Sequence, residues 1–286
     1  MTPVSYSRDA KADTAQFMGM SLTDQAQSVA ASFVSARREA RVLPSYPGTQ
    51  PADLASAYRI QDAAIALDGR RVIGWKVGRI NPPLDTALGT NRLSGPIFAD
   101  TVVAATPGDV PEMPVFVGGF AAAEAEILLH VARGWDGTIP GDDAATRAVI
   151  DEIRLGIEIA SSPYPGINSD GPTVTASDFG NNAGLVLGPV LDGWEEIDLC
   201  AITVRTEIDG ELAGEATAAT MLDGPFGAVR FLLANLLERG SDLSDGLWVS
   251  TGAITGVHPV VPGQQVTARF GDHGEVRCTI APARRQ

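Results

Sequence analysis

Hydrophobic and polar positions fall into two textures along the chain. Residues 25–41 place Val29, Phe33 and Val34 at helical spacing and end in basic residues, which suit a helix C-terminus. Pro44 and Pro47-Gly48 interrupt the pattern. Residues 51–67 resume it, with Leu54, Ala57, Tyr58, Ala64 and Ile65 on one face and Gly69 placed to close the helix. This predicts a small helical N-terminal region over residues 1–70. The first ~25 residues read as weakly ordered on composition.

From Arg71 onward the apolar runs are short and the punctuation is Gly and Pro. Residues 72–78 predict a strand, residues 81–96 a loop-rich stretch, and residues 124–131 a second strand. Asp142-Asp143 is placed to cap a short helix running through Ile153. A strand follows around Glu158, then a long segment from Ser161 to Asn182 rich in Pro, Gly and small polar residues. A loop that long is usually functional or mobile. Leu185 to Gly188 predicts a buried strand. Ile202 to Leu212, turning at Asp209-Gly210, predicts a hairpin with a type I′ turn. Asp223-Gly224-Pro225 opens the clearest helix, which Gly240 closes. Residues 247–251, 266–270 and 276–280 complete the strands. The class is α+β with a mainly β region over 71–286.

Composition narrows the partners. The 286 residues hold 21 Lys plus Arg against 35 Asp plus Glu, a net charge of −14. That balance argues against nucleic acid and against anionic membrane surfaces. No apolar run is long enough to span a bilayer. Two distant cysteines, Cys200 and Cys278, fit no zinc or redox spacing and suit a reducing, cytoplasmic setting.

Two stretches carry the candidate chemistry. In Ala123-Glu124-Ala125-Glu126-Ile127, a strand aims both carboxylates at one side. In Gly156-Ile157-Glu158-Ile159, it aims one carboxylate away from two isoleucines. If the strands are neighbours, Glu124, Glu126 and Glu158 converge, and they repel unless a cation joins them. Oxygen ligands of this kind suit Mg²⁺ or Mn²⁺. The commoner reading of an E-x-E strand is a solvated sheet face. Lys76, in the apolar strand Trp75-Lys76-Val77, reads equally as a snorkelling surface lysine or as an ammonium facing that cluster. His130, His258 and His273 form no catalytic spacing, though His258 sits in a loop that could face a site.

In order along the chain stand Ala57-Tyr58-Arg59-Ile60-Gln61, Gly74-Trp75-Lys76-Val77-Gly78, Glu124-Ala125-Glu126, Gly156-Ile157-Glu158, Ser177-Asp178 with Asn181-Asn182, and Thr251-Gly252-Ala253. Together they resemble the fumarylacetoacetate hydrolase superfamily, in particular its 2-keto-4-pentenoate hydratase and 4-oxalocrotonate decarboxylase branch. The resemblance implies a mixed β-roll binding Mg²⁺ or Mn²⁺ through Glu124, Glu126 and Glu158. It implies Lys76 as the active-site lysine, and Asn181, Asn182 and Thr251 as pocket-lining residues. It further implies a homo-oligomer acting on short 2-oxo acids or their enols, in the breakdown of aromatic compounds.

The expected activity is a hydratase of 2-hydroxyalka-2,4-dienoates. A decarboxylase is the alternative, followed by an acylpyruvate-type hydrolase and a binding protein that kept only the fold. The hydrolase reading loses weight because no histidine precedes His130. The chain departs from the hydratase pattern twice. Residues 89–95 contain no acid but do contain Arg92, a candidate for a second substrate carboxylate or else a surface arginine. Ser162-Pro163-Tyr164 stands where an arginine usually follows the third glutamate's strand.

Overall fold

A computed structural model describes residues 22–285, so the expectation about the first ~25 residues falls almost wholly outside it. The chain forms α1 (Leu22–Arg38), α2 (Leu54–Asp68), β1 (Val72–Arg79), α3 (Leu84–Leu88), β2 (Arg92–Phe98), β3 (Val102–Ala104), β4 (Glu112–Val115) and β5 (Phe120–Val131). There follow α4 (Asp143–Arg147), β6 (Ile150–Ser162), α5 (Pro172–Ser177), β7 (Asn182–Val190), β8 (Thr203–Ile208) and β9 (Glu211–Thr217). The last elements are α6 (Gly224–Glu238), β10 (Leu247–Ser250), β11 (His258–Pro259), β12 (Gln265–Phe270) and β13 (Glu275–Pro282).

An eight-stranded sheet runs β2-β1-β10-β5-β6-β7-β3, with β11 added beside β5; a five-stranded sheet runs β4-β13-β12-β8-β9. The inner faces of both sheets share one core. Ile127, Ile157 and Ile159 of the large sheet belong to the same buried cluster as Val204, Val266 and Phe270 of the small one. Helix α6 joins that core through Phe226, Val229, Leu233 and Leu236, the spacing expected from its sequence. Helix α1 packs elsewhere: Val29, Phe33 and Val34 meet Phe98, Tyr164 and Phe179, beneath the segment that follows β6.

Most local expectations match the residues that cause them. Asp53 caps α2 by accepting from the Ser56 amide, and Gly69 closes it at φ 74. Asp209 and Gly210 both take positive φ in the β8–β9 turn, as type I′ requires.

Three expectations need correction. Ser94-Gly95-Pro96 lies inside the buried strand β2 rather than in a loop. Proline is tolerated there because β2 is an edge strand of its sheet. The helix begun at Asp143 stops at Arg147, and Ile150 and Ile153 instead open β6. Their β-branched side chains pair with Val131 and Leu129 of β5. The segment after β6 is not structureless. Ser161 and Ser162 still belong to β6, a run of turns covers residues 163–171, and α5 and a tight 3₁₀ turn over Phe179–Asn181 follow.

Candidate metal centre and adjoining cavity

Strands β5 and β6 pair antiparallel with Glu124 directly opposite Glu158, and with Glu126 opposite Gly156. Alternation sends Ala123, Ala125 and Ile127 into the shared core and the glutamates to the other face. That face is not solvated. Glu124 is 5% exposed, and Glu126 and Glu158 are 0% exposed. One carboxylate oxygen from each lies within 4.8 Å of the others, the one such cluster found among the described residues. Gly156 makes the packing possible: a Cβ there would sit 2.2 Å from Leu128 Cδ1 and 2.8 Å from the Val186 carbonyl oxygen. Of the two sequence readings of the E-x-E strand, the solvated face is therefore excluded.

Lys76 arrives from β1, 4% exposed, with Nζ 3.2 Å from Glu158 Oε2 and 3.4 Å from Asn181 Oδ1. It is no surface lysine. Burial alone pushes its ammonium towards neutrality, but Glu158, Glu124 and Glu126 outweigh this and hold its pKa above the ordinary lysine value. Burial pushes Glu124 up to about 7, with Lys76 opposing and Glu158 adding to the rise. Burial, then Glu158 and Glu124, push Glu126 well above the usual carboxylate range. Three carboxylates and one ammonium leave negative charge unbalanced in a desolvated site.

The second oxygen of Glu126 is fixed by the Ser250 hydroxyl at 2.5 Å and the Gly252 amide at 3.0 Å, both donating to Oε2. Glu158 Oε1 accepts from the Asn182 side-chain amide at 3.0 Å. This leaves Glu126 Oε1 and Glu158 Oε2 buried without a hydrogen bond. The Lys76–Glu158 contact is close enough for an ion pair but not aligned as a hydrogen bond. Such orphaned oxygens are costly unless something else engages them, and anionic oxygens aimed at a common point fit a hard divalent cation.

A cavity of about 680 Å³ opens beside the cluster, lined by Lys76, Glu124, Asn181 and Thr251 among others. Thr251 donates its hydroxyl proton to the Ile127 carbonyl at 2.7 Å. Asn182 does not line the cavity; it stands one layer back, holding Glu158. Arg92 does line it, 6% exposed, with its guanidinium paired to Asp223, so the surface reading of this arginine fails. His258 hydrogen-bonds with Thr255 at 3.0 Å and is not part of the cavity wall.

The turn Phe179-Gly180-Asn181 positions the lysine. All three residues have positive φ, at 55°, 61° and 59°. Two of them are not glycine, so the turn is strained and must be held by its surroundings. It presses on β2 at Gly95, where a Cβ would fall 2.1 Å from the Phe179 carbonyl oxygen. Gly180 sits against the Lys76 stem. Beneath the turn, Arg37 of α1 is the anchor. Its Nε and Nη2 donate to the two Asp178 oxygens at 2.6 and 2.9 Å, and Nη1 donates to the Asn182 carbonyl at 3.0 Å. Ser162 Oγ donates to the same Asp178 carboxylate at 2.6 Å. Arg37 also reaches the end of β6, where its Nη2 donates to the Ser161 carbonyl at 3.2 Å.

Sequence reasoning missed Arg37 and Ser250. Arg37 read as a helix-terminal cation, yet Ala30, Phe33, Val34 and Arg37 form an i, i+3, i+4, i+7 set, which places it on the buried face. Ser250 carried no local signal, because its role comes from the pairing of β10 with β5.

No protein-family model matches the chain. A 2-keto-4-pentenoate hydratase of Burkholderia vietnamiensis (strain G4 / LMG 22486) is 28% identical over 277 residues, covering 91% of this chain and 99% of the relative. A 4-oxalocrotonate decarboxylase of Pseudomonas putida is 25% identical over 208 residues, covering 73% of this chain and 77% of the relative. In fold, 4-oxalocrotonate decarboxylase from Pseudomonas putida G7, complexed with magnesium and adipate, superposes with a TM-score of 0.73 at 22% identity, covering 90% of this chain and 97% of that one. Fumarylpyruvate hydrolase from Pseudomonas aeruginosa, complexed with Mn²⁺ and pyruvate, gives 0.54 at 15% identity, covering 74% of this chain and 91% of that one. Along most of its sequence the chain is thus similar to 2-keto-4-pentenoate hydratases and 4-oxalocrotonate decarboxylases, and its fold is the one seen in the solved decarboxylase and fumarylpyruvate hydrolase.

Proposed function

We propose that the protein is a divalent-metal-dependent hydro-lyase that adds water to a 2-hydroxyalka-2,4-dienoate, giving a 4-hydroxy-2-oxo acid. The observation that carries this reading is the buried Glu124–Glu126–Glu158 cluster with Lys76 beside it, opening through Glu124 into a cavity. Glu124, Glu126 and Glu158 would hold Mg²⁺ or Mn²⁺, the ions bound by the solved decarboxylase and hydrolase of similar fold. When bound, such an ion supplies Lewis acidity towards the 2-oxo and carboxylate oxygens of the substrate.

The chain's own groups do the rest. Lys76 sets an ammonium beside the cluster, where it pairs with the substrate carboxylate or delivers a proton as the dienol ketonises. Asn181, held by the strained turn, accepts from the lysine through Oδ1 while its Nδ2 donates to Asn168 Oδ1 at 3.0 Å, and so fixes the ammonium in the cavity wall. Thr251 shapes the wall with its hydroxyl already committed to β5. Asn182, Ser250 and the Gly252 amide keep the carboxylates in place. Ketonisation gives a 2-oxo-3-enoate; water then adds its oxygen at C4 and a proton at C3. Ile80, Leu93 and Ile254 keep bulk solvent from the reacting carbons.

Decarboxylation of a 2-oxo-enedioate is the second reading, favoured by the similarity to the Pseudomonas putida decarboxylase and by the lack of an acid in residues 89–95. Arg92 contributes to the cavity wall as half of an ion pair in either case. The protein works as a homo-oligomer in the cytoplasm in this proposal, and no described helix is long and apolar enough to cross a membrane. Incubation with 2-hydroxypenta-2,4-dienoate and, in parallel, with a 2-oxo-enedioate, each with Mg²⁺ and with dienol absorbance and CO₂ followed separately, tests the assignment. Loss of absorbance with a hydrated product supports the hydratase. Release of CO₂ from the dioic substrate, without hydration of the dienoate, moves it to decarboxylase.

A further inference from the structure

The cavity is larger than a five-carbon acid needs, and its outer part is built for something apolar. At about 680 Å³ it lies in the range of sites that enclose drug-sized ligands. Beyond the lysine, its wall includes Ile80, Pro82, Leu93, Met221 and Ile254, with uncharged polar residues such as Asn81, Thr220 and Thr255 between them. At the mouth stand Leu84, Leu222 and Val257, exposed by 46%, 40% and 49%. They come from three separate segments: α3, the turn before α6, and the loop after β10. Exposed aliphatic residues scattered singly need no explanation, but three converging on the mouth of one cavity do.

The charges point the same way. Arg92 is paired with Asp223, which also lies 3.5 Å from Arg230. Arg79 lines the outer cavity but is exposed, where an ion pair is worth little. Among the described residues, no buried and unpaired cation waits at that end for a second carboxylate.

We infer that the substrate is a 2-hydroxy-2,4-dienoate bearing an apolar chain or ring beyond C5, with that tail lying along Leu84, Met221, Leu222 and Val257. This rests on the proposed function only for the seat of the 2-oxo acid head group.

Calorimetric titration of the Mg²⁺-loaded protein with unreactive 2-oxo acids separates the two claims. Each fully buried methylene strengthens binding roughly fourfold. 2-Oxooctanoate should therefore bind at least about tenfold more tightly than 2-oxopentanoate, and 2-oxooctanedioate should gain no such advantage. Leu222→Ser combined with Val257→Ser should narrow the ratio to about two- to threefold. Equal affinity for the two monoacids overturns the inference, as does tightest binding by the dioate, and the head-group reading survives both. If no 2-oxo acid binds, the head-group reading falls and takes this inference with it.

Discussion

Both sheets carry glutamates on strands with cations nearby, yet the two arrangements have opposite energetics. In the small sheet, Arg205 stands directly across from Glu215, and Arg269 across from Glu275 with Glu207 alongside. Arg205 and Arg269 also stand opposite each other across β8 and β12, but each has a glutamate on its outer side, and the whole row is open to water, which screens the like pair. In the large sheet, Glu124 stands across from Glu158, like against like, and both are buried. Like charges directly opposite destabilise a sheet even when exposed, and burial multiplies the cost. The small sheet uses its charges for solubility and register. The large sheet stores unfavourable electrostatics at one place, with a single lysine as partial compensation, and that asymmetry marks where a cation belongs.

The largest expected effect breaks the buried half of this comparison. Glu126→Gln keeps the shape and can still accept from Ser250 and Gly252 but removes one anionic oxygen donor. Turnover should fall by at least about a thousandfold, at several kcal/mol of lost transition-state stabilisation, and calorimetry should show Mg²⁺ affinity lost. The metal-free variant should nonetheless melt higher than the parent, by roughly 2–4 °C per kcal/mol of repulsion relieved. Unchanged Mg²⁺ affinity would remove Glu126 from the site. Next comes Lys76→Met, which leaves the carboxylates without their ammonium. Breaking a buried pair on one side costs about 3–5 kcal/mol, so chemical denaturation without metal should show a loss of that order, with much of it recovered on adding Mg²⁺. A loss that Mg²⁺ leaves untouched would mean the lysine serves packing alone.

Arg37→Ala removes one half of a second buried pair and should cost a similar ~3–5 kcal/mol. Arg37→Lys separates anchoring from simple charge, since lysine cannot make the two-pronged contact to Asp178. It should fold, bind Mg²⁺ as the parent does, and lose activity through looser placement of Asn181. Full activity in Arg37→Lys would show that the turn is held without it.

These residues also show what was legible in the sequence. The acidic strands could be read because alternation fixes which side chains share a face, and the flanking isoleucines signal a sheet covered on both sides. Helices α1, α2 and α6 and the type I′ hairpin were legible because their caps and turns are local. What escaped was set by contacts between distant segments. Gly95-Pro96 looks like a turn in isolation, and becomes a strand because Lys76 and Trp75 pair with it. Ser250 and Arg37 act across 124 and 141 residues of sequence respectively. Asn182, expected in the pocket wall from the resemblance alone, stands one layer back against Glu158, a depth that an ordered set of motifs does not specify.

Acid should weaken the contrast between the two sheets. The Glu124 carboxyl has its folded pKa raised to about 7, so the folded protein holds that proton more tightly than the unfolded chain does. The resulting stability is fully present below the unfolded pKa and is lost as pH rises through about 7. Metal and proton compete for the same oxygens. The rise in melting temperature produced by Mg²⁺ should therefore be large at pH 8 and shrink as pH falls through 7. A rise independent of pH between 6 and 8 would place the ion away from Glu124.

The smallest effect tests the solvated half. Arg205 and Glu215 are close enough to bond, with side chains 53% and 44% exposed. Water competes for both, and salt screens what remains, so the pair contributes about 0–1 kcal/mol. A double-mutant cycle on Arg205→Ala and Glu215→Ala should give a coupling in that range, falling further at 1 M salt, with activity unaltered. The result carries weight because the two sites share residue types, strand context and cross-strand geometry, and differ in sign pairing and access to water. A coupling above about 2 kcal/mol at the surface pair would mean that the small sheet also depends on its charges. The contrast used to single out Glu124, Glu126 and Glu158 would then have to rest on their convergence alone.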